Sequence, residues 1–281
     1  MSESNSVLEG KKLAFVGSGV MAESMISGVL EKKLILPQHI FASHPRTKRA
    51  EELQAQLGVC ASTSNREAAQ AADIVVICVK PQRLRAVFHE LAGVVTSSQL
   101  VISIVAGANS SSIAQQLRHA AVVRVMPNTP AQIGHGISVW TCTPEVNEEQ
   151  RVQVRAILSA LGKELFFEEE KFVDMATAIS GSGPAYVFLV MEALIDAAVH
   201  LGFSRQDARE LVTETLLGSV LFAQESHRHP AELRNMVTSP AGTSAEALYQ
   251  LEKGGLRTIL SKAVHAAYQK TATLSDIINK G

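Results

Sequence analysis

The sequence predicts an α/β fold in which an N-terminal doubly wound sheet is followed by an all-α C-terminal domain. Three observations carry this expectation. Short Val/Ile-rich runs alternate with amphipathic helical patterns through the first half of the chain. Those runs are almost continuously apolar, as strands covered on both faces are. After about Lys171 the strand-like runs stop and only helical periodicities remain.

Taken in order, "KLAFVGSG", "HIFASHP", "DIVVICVKP", "QLVISIVAG" and "AAVVRVMPN" read as strands that end in Gly, Pro or small residues. "AESMISGVLEK", "KRAEELQAQL" and "SSIAQQLR" read as the helices between them. That alternation argues for a parallel sheet with helices on both faces. "GISVWTCT" and "KELFFEE" look like further strands, separated by the helix "EEQRVQVRAILSALG". Five helices follow: "PAYVFLVMEALIDAAVHLG", "RQDARELVTETLLGSVLFAQ", "PAELRNMV", "SAEALYQLEKGG" and "TILSKAVHAAYQK". A boundary is expected near 168–174, giving a dinucleotide-binding domain over 1–170 and a helical domain over 171–281. There is no internal repeat and no low-complexity tract.

The bulk numbers narrow the function classes. A chain of 281 residues, 46% hydrophobic and 19% charged, is globular rather than disordered. A net charge of −1 leaves no electrostatic footprint for nucleic acid. Cys60, Cys78 and Cys142 match no zinc or redox spacing, and so sparse a set fits a reducing compartment. The start, "MSESNSVLEG", reads as a short polar tail and not as a signal or transit peptide, so a cytoplasmic location is expected. The longest apolar region, 185–199, is interrupted by Glu192 and Asp196 and reads as too short and too charged to span a bilayer. Neither nucleic acid nor a membrane is therefore an expected partner.

"FVGSGVMA" places Gly17, Gly19 and Ala22 in G-x-G-x-x-A spacing, with Val20 and Met21 opening the following helix. Small residues permit a tight turn and let backbone N–H groups reach a pyrophosphate at the helix N-terminus. The motif alone is weak; its position between a first strand and a first helix makes it a Rossmann-type dinucleotide site. An NAD enzyme usually carries Asp or Glu about 20 residues further on. Here the second strand ends in "ASHPRTKR", with Ser43 and Arg46 and no acid before Glu51. A hydroxyl and an arginine suit a 2′-phosphate, which favours NADPH and leaves NADH the weaker alternative; the competing reading is a basic helix start on a solvated face. "VKPQ" (Val79, Lys80, Pro81, Gln82) and "VAG" (through Ala106 and Gly107) end the next strands on the same edge, where cofactors lie.

A second constellation lies far from these turns. "MVTSPAGTSAEAL" gathers Thr238, Ser239, Thr243 and Ser244 around Pro240, Ala241 and Gly242. Thr243 and Glu246 have the spacing of a capping box. That leaves Ser239 and the Ser-Pro-Ala-Gly approach unexplained, whereas a helix N-terminus ringed by hydroxyls is an anion site. "SGSGPAY" reads as a helix breaker with Pro184 suited to a first helical turn. His227 and His229 lack a third ligand at plausible spacing, so no metal is expected; His135 reads as a turn residue and Asn128 as a lesser candidate for ligand contact.

The "MVTSPAGTSAEAL" block closely resembles the signature of the pyrroline-5-carboxylate reductase family. "FVGSGVMA", "VKPQ", "RVMPNTPAQIGHG", "SGSGPAY" and "HPAELRNMVTSPAGTSAEAL" fall in that family's order over nearly the whole chain. The resemblance implies NAD(P)H-dependent reduction of the cyclic imine to L-proline. It implies that Ser239, Gly242 and the backbone N–H groups of Thr243 and Ser244 hold the substrate carboxylate. The Ser244 hydroxyl would lie against the ring nitrogen as the catalytic-site hydroxyl. Ser43, Asn65, Val79 to Pro81, and Ala106 with Gly107 match the family's cofactor contacts. Ala241 departs from the commoner Ser-Pro-Gly-Gly. The resemblance also implies intertwined helical dimers, often assembled into larger rings, and the apolar circumference of "PAYVFLVMEALIDAAVHLG" argues independently for a homo-oligomer.

Two other readings share this architecture. A hydroxyacid or ketoacid reductase should carry a catalytic Lys early in the helical half, yet no Lys or His lies between Met175 and Val199. A non-catalytic NADP sensor would bind cofactor without turnover.

Overall fold

The computed structural model describes residues 7–280; the polar tail at 1–6 lies outside the described residues. Strands β1 (Leu13–Val16), β2 (Ile40–Ser43), β3 (Cys60–Ser62), β4 (Ile74–Ile77), β5 (Leu100–Ser103), β6 (Val122–Met126), β7 (Gly136–Cys142) and β8 (Gly162–Phe166) form one sheet, in the order 3-2-1-4-5-6-7-8. Helices α1 (Val20–Glu31), α2 (Thr47–Leu57), α3 (Asn65–Gln70), α4 (Pro81–Leu91), α5 (Ser110–Leu117) and α6 (Glu148–Ser159) connect the strands. Then come α7 (Lys171–Ala176), α8 (Gly183–His200), α9 (Arg205–Ser226), α10 (Pro230–Met236), α11 (Thr243–Lys253) and α12 (Leu256–Lys280).

The strands explain why the sheet has two cores. Leu13 and Phe15 of β1 join one cluster with residues of α1, α2 and α6. Ala14 and Val16 join the other with residues of α3, α4 and α5. The same alternation holds for Ile74 and Val76 against Val75 and Ile77. Side chains of period two on a sheet covered on both faces give the continuous apolar runs. The sheet is parallel, as expected, at every pair but one: β7 runs antiparallel to β6, with Val125 opposite Trp140. A 3₁₀ turn over Thr129–Ile133 returns the chain beside the strand it has just left, with no crossover helix. Strand β3, three partly exposed residues at the sheet edge, was not anticipated.

The helical half departs from expectation at "SGSGPAY". The glycines do not break the helix. Thr177–Gly181 widens into a π turn, with the Ser182 N–H donating to the Thr177 carbonyl, and helical structure continues into α8. Pro184 does occupy the first turn of α8. The run Lys171–His200 is consequently 30 residues, long and apolar enough by length and composition to cross a membrane, which corrects the reading of 185–199 as too short.

The chain forms two compact units, one of residues 1–182 with 267–281 and one of 183–266. The expected break at 170/171 thus falls at the start of α7, and the last turns of α12 group with the sheet. Within the first unit those turns reach the loop after β5: a Cβ on Gly107 would stand 3.1 Å from both Ile278 Cδ1 and the Ser275 nitrogen. In the second unit Ala208 is the sole buried hydrophobic residue.

Candidate active site

Parallel pairing brings the carboxyl ends of β1, β2, β4 and β5 to one edge. Val16 pairs with Ser43 on one side and Ile77 on the other, and Ile77 with Ser103. The strand order reverses direction between β1 and β4, the place where open α/β sheets bind ligands.

The glycine turn sits at that point, and each small residue has a distinct reason. Gly17 has φ +87°, and a Cβ there would fall 2.4 Å from Val79 Cγ1, so the β4 turn closes against it. Gly19, at φ −81°, is the N-cap of α1, with no side-chain cap and open space where a Cβ would point. Val20 is 63% exposed at the first helical position, Met21 is half-buried and Ala22 is buried. Uncapped N–H groups at a helix start, facing a space kept free by Gly19, fit the pyrophosphate of a dinucleotide. Ser18, which the sequence reading passed over, is fully buried and ties β1 to β2 through its N–H and hydroxyl, both donating to the Ser43 carbonyl at 2.9 and 3.1 Å.

The β2 end brings Ser43 and Asn65 together. The Ser43 hydroxyl donates to Asn65 Oδ1 at 2.8 Å, and Asn65 Nδ2 donates to Glu90 Oε2 at 2.6 Å. The next residues supply positive charge. Arg46 is exposed and its guanidinium makes no ion pair among the described residues, whereas Arg49 pairs with Glu23 and Glu52. His44 Nδ1 accepts the Arg46 N–H at 3.1 Å, which fixes that nitrogen as the acceptor. Burial, then the neighbouring Arg46 and Arg49 charges, lower the His44 pKa. Exposed Arg46, with no carboxylate paired to it among the described residues, fits a 2′-phosphate, whereas Ser43 is fully buried with its hydroxyl already donating to Asn65 Oδ1 and the Phe15 carbonyl. Val79 and Pro81 are half-buried and Lys80 exposed at the β4 turn, where burial pushes the Cys78 thiol well up and leaves it inert. Ala106 is half-buried at the β5 end, but Gly107 (φ +80°) is buried beneath Leu274 and Ile278.

The 236–248 segment lies in the second unit and builds its own cradle. Ser239 to Gly242 form a turn, with the Gly242 N–H donating to the Ser239 carbonyl at 3.1 Å. Pro240 stands at its second position and Ala241, at φ +60°, at its third, the marks of a type II turn. A Cβ on Gly242 would meet Ser239 Oγ at 2.5 Å, so glycine lets that hydroxyl fold over the helix start. The expected capping box does not form: Gly242 is the N-cap, with no side-chain hydrogen bond. Helix α11 begins one residue earlier than the T-x-x-E spacing requires, which places Thr243 inside the helix. The N–H groups of Thr243 and Ser244 and the hydroxyls of Ser239, Thr243 and Ser244 therefore donate to no acceptor among the described residues. Two orphan amides and three hydroxyls at a positive helix end are suited to a carboxylate.

The residues set aside in the sequence have structural work. His229 Nδ1 caps α10 by accepting the Ala231 N–H at 3.2 Å, and His227 ends α9 at φ +53°. Asn128 Oδ1 accepts the Ile137 N–H at 2.9 Å, and His135 lies in the turn after Pro130.

A doubly wound sheet, a glycine turn at its switch point and a helical C-terminal half define a dinucleotide-dependent oxidoreductase. The profile described as "NADP oxidoreductase coenzyme F420-dependent" matches residues 12–107, and the one described as "Pyrroline-5-carboxylate reductase dimerisation" matches 170–274. The pyrroline-5-carboxylate reductase of Pseudomonas aeruginosa is 39% identical over 94% of this chain and 97% of its own length. That of Synechocystis is 38% identical over 94% and 98%. The crystal structure of the Plasmodium falciparum pyrroline carboxylate reductase with NADP bound superposes with a TM-score of 0.87, at 34% identity, over 95% of this chain and 99% of that one. The chain belongs to the pyrroline-5-carboxylate reductase family.

Proposed function

We propose that this enzyme reduces L-1-pyrroline-5-carboxylate to L-proline with NADPH, the last step of proline biosynthesis. One observation carries the reading: the hydroxyl-ringed, uncapped N-terminus of α11, in a chain related to these reductases along 94% of its length. The substrate is a small ring bearing a carboxylate and a C=N bond. Ser239, Gly242 and the amides of Thr243 and Ser244 hold the carboxylate, and the Ser244 hydroxyl hydrogen-bonds the ring nitrogen. A reduced nicotinamide cofactor held by the turns that follow β1 and β4 would supply the hydride that the imine carbon accepts. An iminium already accepts hydride, so a strong acid is not required and orientation by Ser244 suffices.

Cofactor contacts fall to Gly17, Gly19, Val20, Met21 and Ala22 for the pyrophosphate, and to Ser43, Arg46 and Asn65 for the adenosine end. Val79, Lys80, Pro81, Ala106 and Gly107 line the rest of the edge. NADH serves as the weaker alternative. The second unit works as a homo-oligomer, in intertwined dimers gathered into a larger ring, and the enzyme acts in the cytoplasm. Incubation with NADPH and pyrroline-5-carboxylate should give a loss of absorbance at the reduced-nicotinamide band and a stoichiometric yield of proline. Tight NADPH binding without turnover would overturn the reading.

A further inference from the structure

We propose that Arg124 and Glu170 form a positioning pair for the cofactor loop Val105–Asn109, which joins β5 to α5. Arg124 lies on β6, at 1% exposure, in a strand otherwise of Val and Met. Its Nη1 donates to Glu170 Oε1 at 2.9 Å and its Nη2 donates to Asp174 Oδ1. Glu170 stands just before α7 and Asp174 within it, one turn on.

The remaining side-chain contacts of Glu170 go to Ser110, the residue that directly follows the loop. The Ser110 N–H donates to Oε1 at 2.7 Å and the Ser110 hydroxyl donates to Oε2 at 2.7 Å. A single carboxylate thus takes both polar groups of the first residue of α5, where the helix dipole favours negative charge. At the other end of the loop Ser103 Oγ accepts the Val105 N–H at 3.3 Å. Asn109 caps α5 by accepting the Ser112 N–H at 2.7 Å. Contacts therefore hold the chain at both ends of the loop, and the Glu170 clamp depends on charge.

The arrangement is not what sheet packing alone would select. Arg124 Nε is buried with no hydrogen-bond partner among the described residues. A hydrocarbon side chain in mid-strand avoids that penalty, and buried ion pairs often add little stability over apolar replacements. What the pair adds is connection. One guanidinium ties the cofactor loop, through Glu170, to α7, whose Thr177 end opens into the π turn ahead of α8.

The inference rests on the reading that Ala106 and Gly107 touch the cofactor. Glu170→Gln in the full-length protein keeps the shape and removes the charge. NADPH binding, measured by calorimetry, should weaken about ten-fold, the scale of a lost charge-assisted hydrogen bond. Amide exchange over 105–112 should quicken in the free enzyme. Turnover should fall while KM for the imine changes by less than about two-fold. Asp174→Asn, which spares the Ser110 clamp, should affect NADPH binding less than Glu170→Gln does. A folded Glu170→Gln protein that binds NADPH as tightly as wild type overturns the proposal. Should that variant fail to fold, Ser110→Ala removes the hydroxyl contact alone, and unchanged NADPH affinity in it is equally fatal. The wild type separates the two readings: if NADPH does not slow exchange over 105–109, the cofactor-loop assignment itself is wrong.

Discussion

Ser244 is where the proposed chemistry concentrates on one side chain. Its hydroxyl is half-buried, unpaired and one residue into α11. Ser244→Ala should lower kcat/KM for the imine by about 0.5–1.5 kcal/mol if the hydroxyl only orients, and by more if it delivers the proton. NADPH affinity should stay at the wild-type value, and calorimetry beside steady-state kinetics checks both halves. Three residues away, Ala241 holds φ +60°, a conformation that costs a non-glycine residue roughly 1–2 kcal/mol. Glycine returns about 0.5–1 kcal/mol of that as unfolded-state freedom. Ala241→Gly should therefore raise stability by a few tenths to about 1 kcal/mol, read from the urea midpoint; a lower midpoint would show that the turn favours alanine. His44 gives a pH test. Desolvation first, then Arg46, lowers its folded pKa, so the stability it contributes is complete above the ordinary value and is lost as pH falls through the lowered one. A bound 2′-phosphate favours the imidazolium against Arg46 and Arg49, so NADP should gain on NAD as pH falls from 8 toward 6. His44→Asn should flatten that ratio, and Arg46→Ala should weaken NADPH binding about 10- to 100-fold at any pH.

At the scale of elements the β1–α1 turn makes the sharpest demand. Gly17→Ala meets Val79 Cγ1 at 2.4 Å and the Val79 backbone at 3.1 Å while holding φ +87°. Overpacking costs about 1–3 kcal/mol and the left-handed backbone about 1–2, so a loss of about 2–5 kcal/mol is expected in chemical denaturation. Val79→Ala in the same chain should recover only the side-chain part of that loss. This turn was legible in the sequence because its chemistry is local: a tight turn needs glycine, and strand and helix periods flank it. Strands β1, β2, β4, β5 and β6 were legible because burial on both faces writes apolar runs. Strand β3 was not, since Cys60–Ser62 is short, polar and at an edge. The direction of β7 was hidden because a strand's period is the same in either sense. The capping box fails by one residue, at Gly242, and the helix break is replaced by the π turn at Thr177–Gly181. Boundaries of that kind are set by tertiary contacts, and local propensity does not encode them. The Arg124 ion pairs leave only one trace in the sequence, an arginine inside the apolar run "AVVRVMPN".

At the scale of the whole molecule the second unit poses a problem of solubility that one chain does not solve. Of the residues in 183–266, Ala208 alone is a buried hydrophobic. Val187, Phe188, Leu189 and Leu194 of α8 are 52%, 61%, 66% and 45% exposed, and Leu211, Leu217, Val220, Leu221 and Phe222 of α9 are also exposed. Large apolar side chains exposed together on two neighbouring helices mark an interaction surface. The helix is long enough for a bilayer, yet Glu192 and Asp196 lie within it, and the dimerisation profile spans 170–274. A second copy of the same helices buries the surface in both chains at once, as an isologous interface does. Covering a fully exposed Leu, Val or Phe contributes about 1.5–3 kcal/mol, and these half-exposed side chains gain roughly half of that each. Polar replacements there should therefore dissociate the protein before they unfold its sheet. Light scattering after size exclusion should give a mass at least twice the 30.1 kDa of the chain for every active fraction. Phe188→Glu with Leu217→Glu should yield smaller, inactive species that retain NADPH binding, because the glycine turn lies wholly in the sheet unit. An active species of one chain's mass would end the argument for an obligate oligomer.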